Sequence, residues 1–417
     1  MIFFILLLFS LYSTANSLII STSLGDLNGD QIGNYHVFKK VPFARPPVGK
    51  LRFQKPEAVE KWNGTLDARY YGPACMSNSS VTHSPQKWVD EDCLHLNIFT
   101  SEKCLESKDC AVVFYLHGGG IEYDSAVMFN ETFLVYVFPK EDVLLVIPAY
   151  RLGIFSHFVL EDQSIAPNNL ALYDILLALE FVHHEIHHFG GNHRKITLLG
   201  HSYGGSIAAM LSFSPRINQD LSLFQRAIIM SSSRDLDTLE AQVNRTMRFV
   251  EHANCVPSGT GHQKERDTFI RDCLLDKTGM ELLRRTERRL RHERQAAGIS
   301  DKRKVLINLA RAKNSRHFTY NFESIFQISA AHYSDSKDWC SNSESGNKTM
   351  TLLVDDQLEK FARRRKATAI GTIFRTDHKP IPALIIVKCD GTKVTKDGRN
   401  KVQYGKSPKA TISKWKA

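Results

Sequence analysis

Gly200-His201-Ser202-Tyr203-Gly204 sets a serine between two glycines where the β-type run KITLLG meets the small and apolar run SIAAML. A serine in that position can act as an acyl-transfer nucleophile. On a sharp strand-to-helix turn its hydroxyl projects to where a carbonyl carbon can reach it, and glycine neighbours leave the turn room. The same turn aims the amide of Tyr203 at that carbonyl. Upstream, His117-Gly118-Gly119-Gly120 ends the apolar run AVVFYLH. Backbone free of side chains can turn its amides inward there to receive a developing oxyanion, each such donor being worth about 3 kcal/mol in the transition state. Either motif alone also describes an ordinary glycine turn; two of them, each closing its own strand, point to chemistry. A serine of this kind needs an acid and then a His following it in the chain. His317, His332, His378, Asp355 and Asp356 stand in no setting that assigns them, and exposed or structural roles are expected for all five.

The elements that must position these motifs are legible around them. Residues 111–117 and the run VLLVIPAY at 143–150 are short, apolar and rich in β-branched residues, which predicts buried strands. Leu172, Ile175, Leu176, Leu179, Val182 and Ile186 recur at helical spacing, and Gly190-Gly191 follows as a helix stop. KITLLG predicts a strand running into the serine turn, SIAAML a helix leaving it, and RAIIMSS another strand. Strands alternating with helices predict an α/β fold with a parallel sheet and crossover connections.

The rest of the chain bounds the setting. At 417 residues it can hold one large domain or two to three smaller ones. The opening MIFFILLLFSLYSTANS is an apolar run closing in small residues, with Ala15 and Ser17 placed as at a signal-peptidase site. A signal peptide over 1–17 is expected, hence a secreted or endomembrane-lumen protein. No later run is long and apolar enough to span a bilayer, so no membrane span is expected after cleavage. On that route eight cysteines predict disulfides, and the sequons at Asn63, Asn78, Asn130, Asn244 and Asn347 predict glycans. No Cys/His cluster has zinc spacing, so no metal site is expected. Net charge is +10, but Arg284 to Arg316 holds twelve Lys and Arg against Glu287, Glu293 and Asp301. Such a run is read as a solvated basic segment, not a nucleic-acid surface. It opens a basic and polar linker over 284–370, ahead of an apolar, turn-rich tail at 371–417.

With these motifs in order, the chain resembles the type-B carboxylesterase and cholinesterase family, in particular gut-esterase-like members from nematodes. The resemblance is carried by VPFARPPVGKLRFQKP at 41–56, WNGTLDARYYGPAC ending at Cys75, EDCLHLNIF at 91–99, FYLHGGG, AYRLG at 149–153, NNLALYD at 168–174, FGGN at 189–192 and TLLGHSYGG. It runs over about residues 20–283 and implies an α/β-hydrolase region at 18–283. From it, Ser202 is the nucleophile, and Gly119, Gly120 and Tyr203 supply the oxyanion-hole amides. It also implies disulfides Cys75–Cys93 and Cys255–Cys273, a small-molecule carboxylic ester as substrate, and no cofactor. Pairing of Cys104 with Cys110 is suggested by this sequence alone. In the resembled family the acid and the His lie in the C-terminal half, which finds no match here. A sheet short of its later strands is therefore expected, with an uncovered edge. Turnover at the residual ~10³ to 10⁴ over water that survives loss of triad members is expected with it. The rival from another class is a non-catalytic secreted binding or adhesion protein of the same fold; the intact serine turn favours the enzyme.

The tail from Phe374 to Trp415 resembles the last β-hairpin and helix of nucleoredoxin or tryparedoxin-like thioredoxin folds. KPIPALIIVKCDGTKVTKDGRNKV carries this, with Pro382 at the family's cis-proline and a turn at Asp390-Gly391. Trp339-Cys340-Ser341-Asn342-Ser343 lacks the second cysteine of a redox dithiol, so no redox activity is implied.

Overall fold

In the computed structural model, residues 18–286 are described apart from 79–83, 215, 233–237 and 260, together with the backbone of three short strands between 370 and 395. The strands are β1 (Ile19–Ser21), β2 (Asp26–Asn28), β3 (Asp30–Ile32), β4 (Tyr35–Pro42), β5 (Thr65–Asp67), β6 (Ala74–Cys75), β7 (Val89–Asp90), β8 (His95–Ser101), β9 (Cys110–Leu116), β10 (Val143–Pro148), β11 (Gly191–His201) and β12 (Arg226–Met230), and the last four are those expected of the apolar runs. Helices α1 (Glu102–Ser107), α2 (Glu131–Val137), α3 (Ile154–His157), α4 (Leu170–Glu185), α5 (Tyr203–Phe213), α6 (Leu239–His252) and α7 (Gln263–Leu275) connect or follow them. Further along the chain are strands β13 (Ile370–Thr372), β14 (Leu384–Val387) and β15 (Lys393–Thr395).

The large sheet runs β15-β14-β13-β12-β11-β9-β10-β8-β4-β3. Its middle is parallel, β10 on β9, β9 on β11 and β11 on β12, as the strand and helix alternation predicts. The flank β10-β8-β4-β3 is antiparallel, which that alternation alone does not predict. Burial explains why: every residue of β8 is buried although its sequence is HLNIFTS. Two of its polar side chains are satisfied locally. Asn97 accepts from the Lys40 amide (3.3 Å), and Thr100 Oγ1 donates to the Phe189 carbonyl (2.9 Å). Beyond β12 the sheet continues: Gly371 of β13 lies opposite Ile229 in parallel, and β14 and β15 follow antiparallel. The β14–β15 pair flanks the Asp390-Gly391 turn read as a hairpin. Pro382, the thioredoxin-like assignment, residues 1–17, linker residues 287–369 and Asn347 lie outside the described residues.

Helix α4 buries Leu172, Ile175, Ala178, Leu179 and Val182 on the sheet and ends through a short 3₁₀ turn at Gly190, whose φ of 88° suits glycine. Disulfides join Cys75 to Cys93, Cys104 to Cys110, and Cys255 to Cys273. The two bridges that span 18 residues each restrict the unfolded chain by about 3 kcal/mol. Asn63, Asn130 and Asn244 are exposed and Asn78 is half-buried; Asn130 also caps α2 by accepting from the Phe133 amide.

One member of β8 carries a pH dependence. His95 is buried beside Lys40, and its Nε2 finds no partner among the described residues. Burial first, and the Lys40 charge second, press its pKa down to about 3. The unfolded imidazole takes a proton near pH 6.5 while the folded one refuses it, so this stability is present above pH 6.5 and is lost as pH falls to about 3. A shift of that size amounts to roughly 4 to 5 kcal/mol at the acid end. Urea unfolding of wild type and His95→Phe between pH 7 and 4 checks it: the wild type should lose stability more steeply. Parallel pH profiles would contradict the assignment.

Candidate active site

The site assembles where two neighbouring parallel strands end. β9 sends the chain to β10 on one side of it, and β11 sends the chain through α5 to β12 on the other. The crevice between the carboxyl ends of β9 and β11 is therefore a topological switch point, where open α/β sheets bind ligands. The two sequence motifs meet there.

Ser202 holds φ 56° and ψ −123°, a conformation rarely adopted outside glycine. Main-chain bonds fix it on both sides: its N–H donates to Met230 O (2.8 Å), and its C=O accepts from the Ser206 amide (3.1 Å). The flanking glycines are required by main-chain contacts around the turn. A methyl at Gly200 would lie 2.1 Å from Gly204 O, and one at Gly205 2.6 Å from Met230 O. At Gly204 it would lie 2.2 Å from Leu116 O and 2.4 Å from His117 O. They let the first turn of α5 sit on the ends of β9 and β12. The eleven residues of α5 direct a positive helix end at Ser202.

Gly118 lies directly against the serine: a methyl there would be 2.8 Å from Ser202 Cβ. Gly119 and Gly120 follow at φ 90° and 66°, and Gly119 O accepts from the amides of Glu122 (3.0 Å) and Tyr123 (3.2 Å). The N–H groups of Gly119 and Gly120 donate to no acceptor among the described residues. Ser202, the glycine loop and the start of α5 with Tyr203 are thus brought together. Among the described residues no imidazole hydrogen-bonds Ser202 Oγ. His317, His332, His378, Asp355 and Asp356 lie outside those residues. No group of three or more His, Cys, Asp or Glu among the described residues could hold a metal ion.

Beneath the loop lies a buried cluster to which the sequence reading gave no role. The His117 imidazole stacks on the Tyr150 ring, centroids 4.4 Å apart and planes 13° from parallel. Burial pushes the His117 pKa down, opposed by the nearby Asp124 charge, and pushes the Tyr150 phenol well up, with Tyr115 and Asp124 adding to it. Both are therefore neutral near pH 7. Their neighbour Arg151 meets Asp174 of α4 through two contacts, Nε to Oδ2 (2.8 Å) and Nη2 to Oδ1 (2.6 Å), both side chains buried. The only sequence trace of these residues was their place in the motifs FYLHGGG, AYRLG and NNLALYD.

A serine on a strained strand-to-helix turn, facing a glycine loop across the sheet's switch point, defines an α/β-hydrolase. The carboxylesterase family model matches residues 16–308, and the chain belongs to that family. It is 35% identical over 232 residues to an acetylcholinesterase of Bungarus fasciatus, covering 52% of this chain and 37% of that protein. It is 37% identical over 215 residues to gut esterase 1 of Caenorhabditis briggsae, with the same coverage of 52% and 37%. A cocaine esterase of Oryctolagus cuniculus is 33% identical over 240 residues, with 54% and 44% covered. The chain thus spans less than half the length of these relatives.

Proposed function

We propose that this chain is a secreted hydrolase of small-molecule carboxylic esters in which Ser202 is the nucleophile. Its Oγ attacks the ester carbonyl, the alcohol leaves, and water releases the acyl group from the serine; the amides of Gly119, Gly120 and Tyr203 hold the oxyanion. No cofactor or metal enters this scheme. The observation that carries it is the contact of Gly118 with Ser202, which sets unpartnered amides of Gly119 and Gly120 beside a hydroxyl on a strained turn. With the base and acid unassigned, turnover is set by the oxyanion hole and binding, at ~10³ to 10⁴ over water. The rival reading is a non-catalytic binding protein of this fold.

Labelling of the purified, folded chain with a fluorophosphonate probe decides between them. Label that appears on the wild type and is abolished by Ser202→Ala is the expected result. A folded wild type that stays unlabelled would move the assignment to the binding protein.

A further inference from the structure

The buried pair beneath the glycine loop is built to aim one of its amides. We propose that His117 and Tyr150 are positioning residues that point the Gly119 N–H into the crevice beside Ser202, an inference that rests on the serine-hydrolase reading of the site.

Three bonds carry it. Tyr150 Oη donates to the His117 carbonyl (2.7 Å), and His117 Nδ1 lies 2.9 Å from Gly118 O. A carbonyl oxygen can only accept, so the proton must be on Nδ1. The same N–H has the Tyr150 oxygen at 3.3 Å as a second, weaker acceptor. Two successive carbonyls, those of His117 and Gly118, are thereby turned toward a buried imidazole and phenol.

A trans peptide is planar, and its C=O and N–H point in opposite directions. Holding the Gly118 carbonyl toward the buried ring therefore turns the Gly119 N–H the other way, out of the core and toward the serine. Glycine at 119, with φ 90°, has no side-chain barrier of its own to hold that plane, so the restraint has to come from neighbouring side chains. Tyr150 is suited to supply it because it lies two residues beyond the end of β10, the strand paired with β9 on the side away from β11. Neither side chain is placed to touch a substrate; both lie within the core.

The roles of the two ring nitrogens differ, which gives a test that bulk packing would not pass. An asparagine at 117 can set its amide nitrogen at the Nδ1 position, whereas glutamine sets its own near Nε2. Hydrolysis of a p-nitrophenyl ester by His117→Asn should stay within about threefold of wild type. His117→Gln and Tyr150→Phe should lose about 10- to 100-fold in kcat with KM little changed, since a mis-aimed oxyanion donor weakens the transition state and not the ground state. Hydrogen exchange read by mass spectrometry over residues 117–124 supplies an arm that needs no activity. Exchange there should quicken about tenfold in His117→Gln and Tyr150→Phe, stay near wild type in His117→Asn, and leave segments of α6 unchanged. Equal kcat losses in the Asn and Gln variants, or unaltered exchange in Tyr150→Phe, would overturn the clamp. A wild type that hydrolyses nothing would overturn the ester-hydrolase reading instead, leaving the exchange comparison to decide the clamp.

Discussion

Gly204→Ala should unfold the chain at markedly lower denaturant and abolish fluorophosphonate labelling, although alanine is the better helix former. Gly204 lies in the first turn of α5, where helix propensity alone favours alanine by about 1 kcal/mol. Packing argues the other way, and the magnitudes decide it. The new methyl would meet Leu116 O at 2.2 Å and His117 O at 2.4 Å, both main-chain atoms. No flexible side chain is there to give way. Leu116 is paired to Gly200 across β9 and β11, and the His117 carbonyl is held by Tyr150. The helix start must move off the sheet, taking Ser202 with it. Overpacking of this kind costs about 1 to 3 kcal/mol and more where backbone opposes backbone, so a net loss of about 3 kcal/mol is expected. Urea unfolding measures it. Gly64→Ala is the control: its φ of 76° strains any side chain, but nothing lies within 4 Å of the added methyl. It should cost about 1 to 2 kcal/mol and leave labelling intact. A Gly204→Ala chain as stable as wild type would mean that α5 does not sit against β9 as described.

The glycines also show how far the sequence could be read. Gly-x-Ser-x-Gly and the triple glycine marked the site, because a motif at a strand end is a local signal that survives without coordinates. Strands β9 to β12 and helix α4 were legible for the same reason: buried parallel strands are continuous apolar runs, and the helical period is visible in one stretch of chain. Strand β8 was not, since HLNIFTS mixes polar and apolar residues and becomes buried only when β4 and β10 close on it. The cause of the glycines was likewise hidden. Gly204 is small because of Leu116 and His117, residues far off in sequence, and only the fold brings them near. The same limit applies to His117. Its place before three glycines suggested a strand end, whereas its task depends on which ring nitrogen meets Gly118 O and on a phenol from the next strand. Of the three disulfides among the described residues, two were implied by resemblance to a family and the third was suggested by this sequence alone.

Removing one member of the Arg151–Asp174 pair should cost more than removing both. Asp174 accepts three bonds from Arg151, from Nε, Nη2 and the main-chain N–H (3.0 Å), while Nη1 donates to Gln54 O (2.7 Å). With both side chains buried, neither charge has water to fall back on. Asp174→Ala therefore strands a guanidinium in the core, and a loss of about 3 to 5 kcal/mol is expected. Arg151→Met paired with Asp174→Leu removes the charges along with their desolvation penalty and should lose clearly less than Asp174→Ala. The comparison bears on the site as well as on stability. Arg151 is the residue after Tyr150, so the pair ties the end of β10 to α4 immediately beside the phenol that holds the His117 carbonyl. If its purpose is to fix that strand end, the double variant, though folded, should label more slowly than wild type, because it keeps the packing but loses the directional bonds. Urea unfolding and labelling rates measured on the same preparations separate the two effects. Additive losses in the single and double variants would show that the two side chains are not coupled. A stable double variant with undiminished labelling would show that the pair serves the core alone.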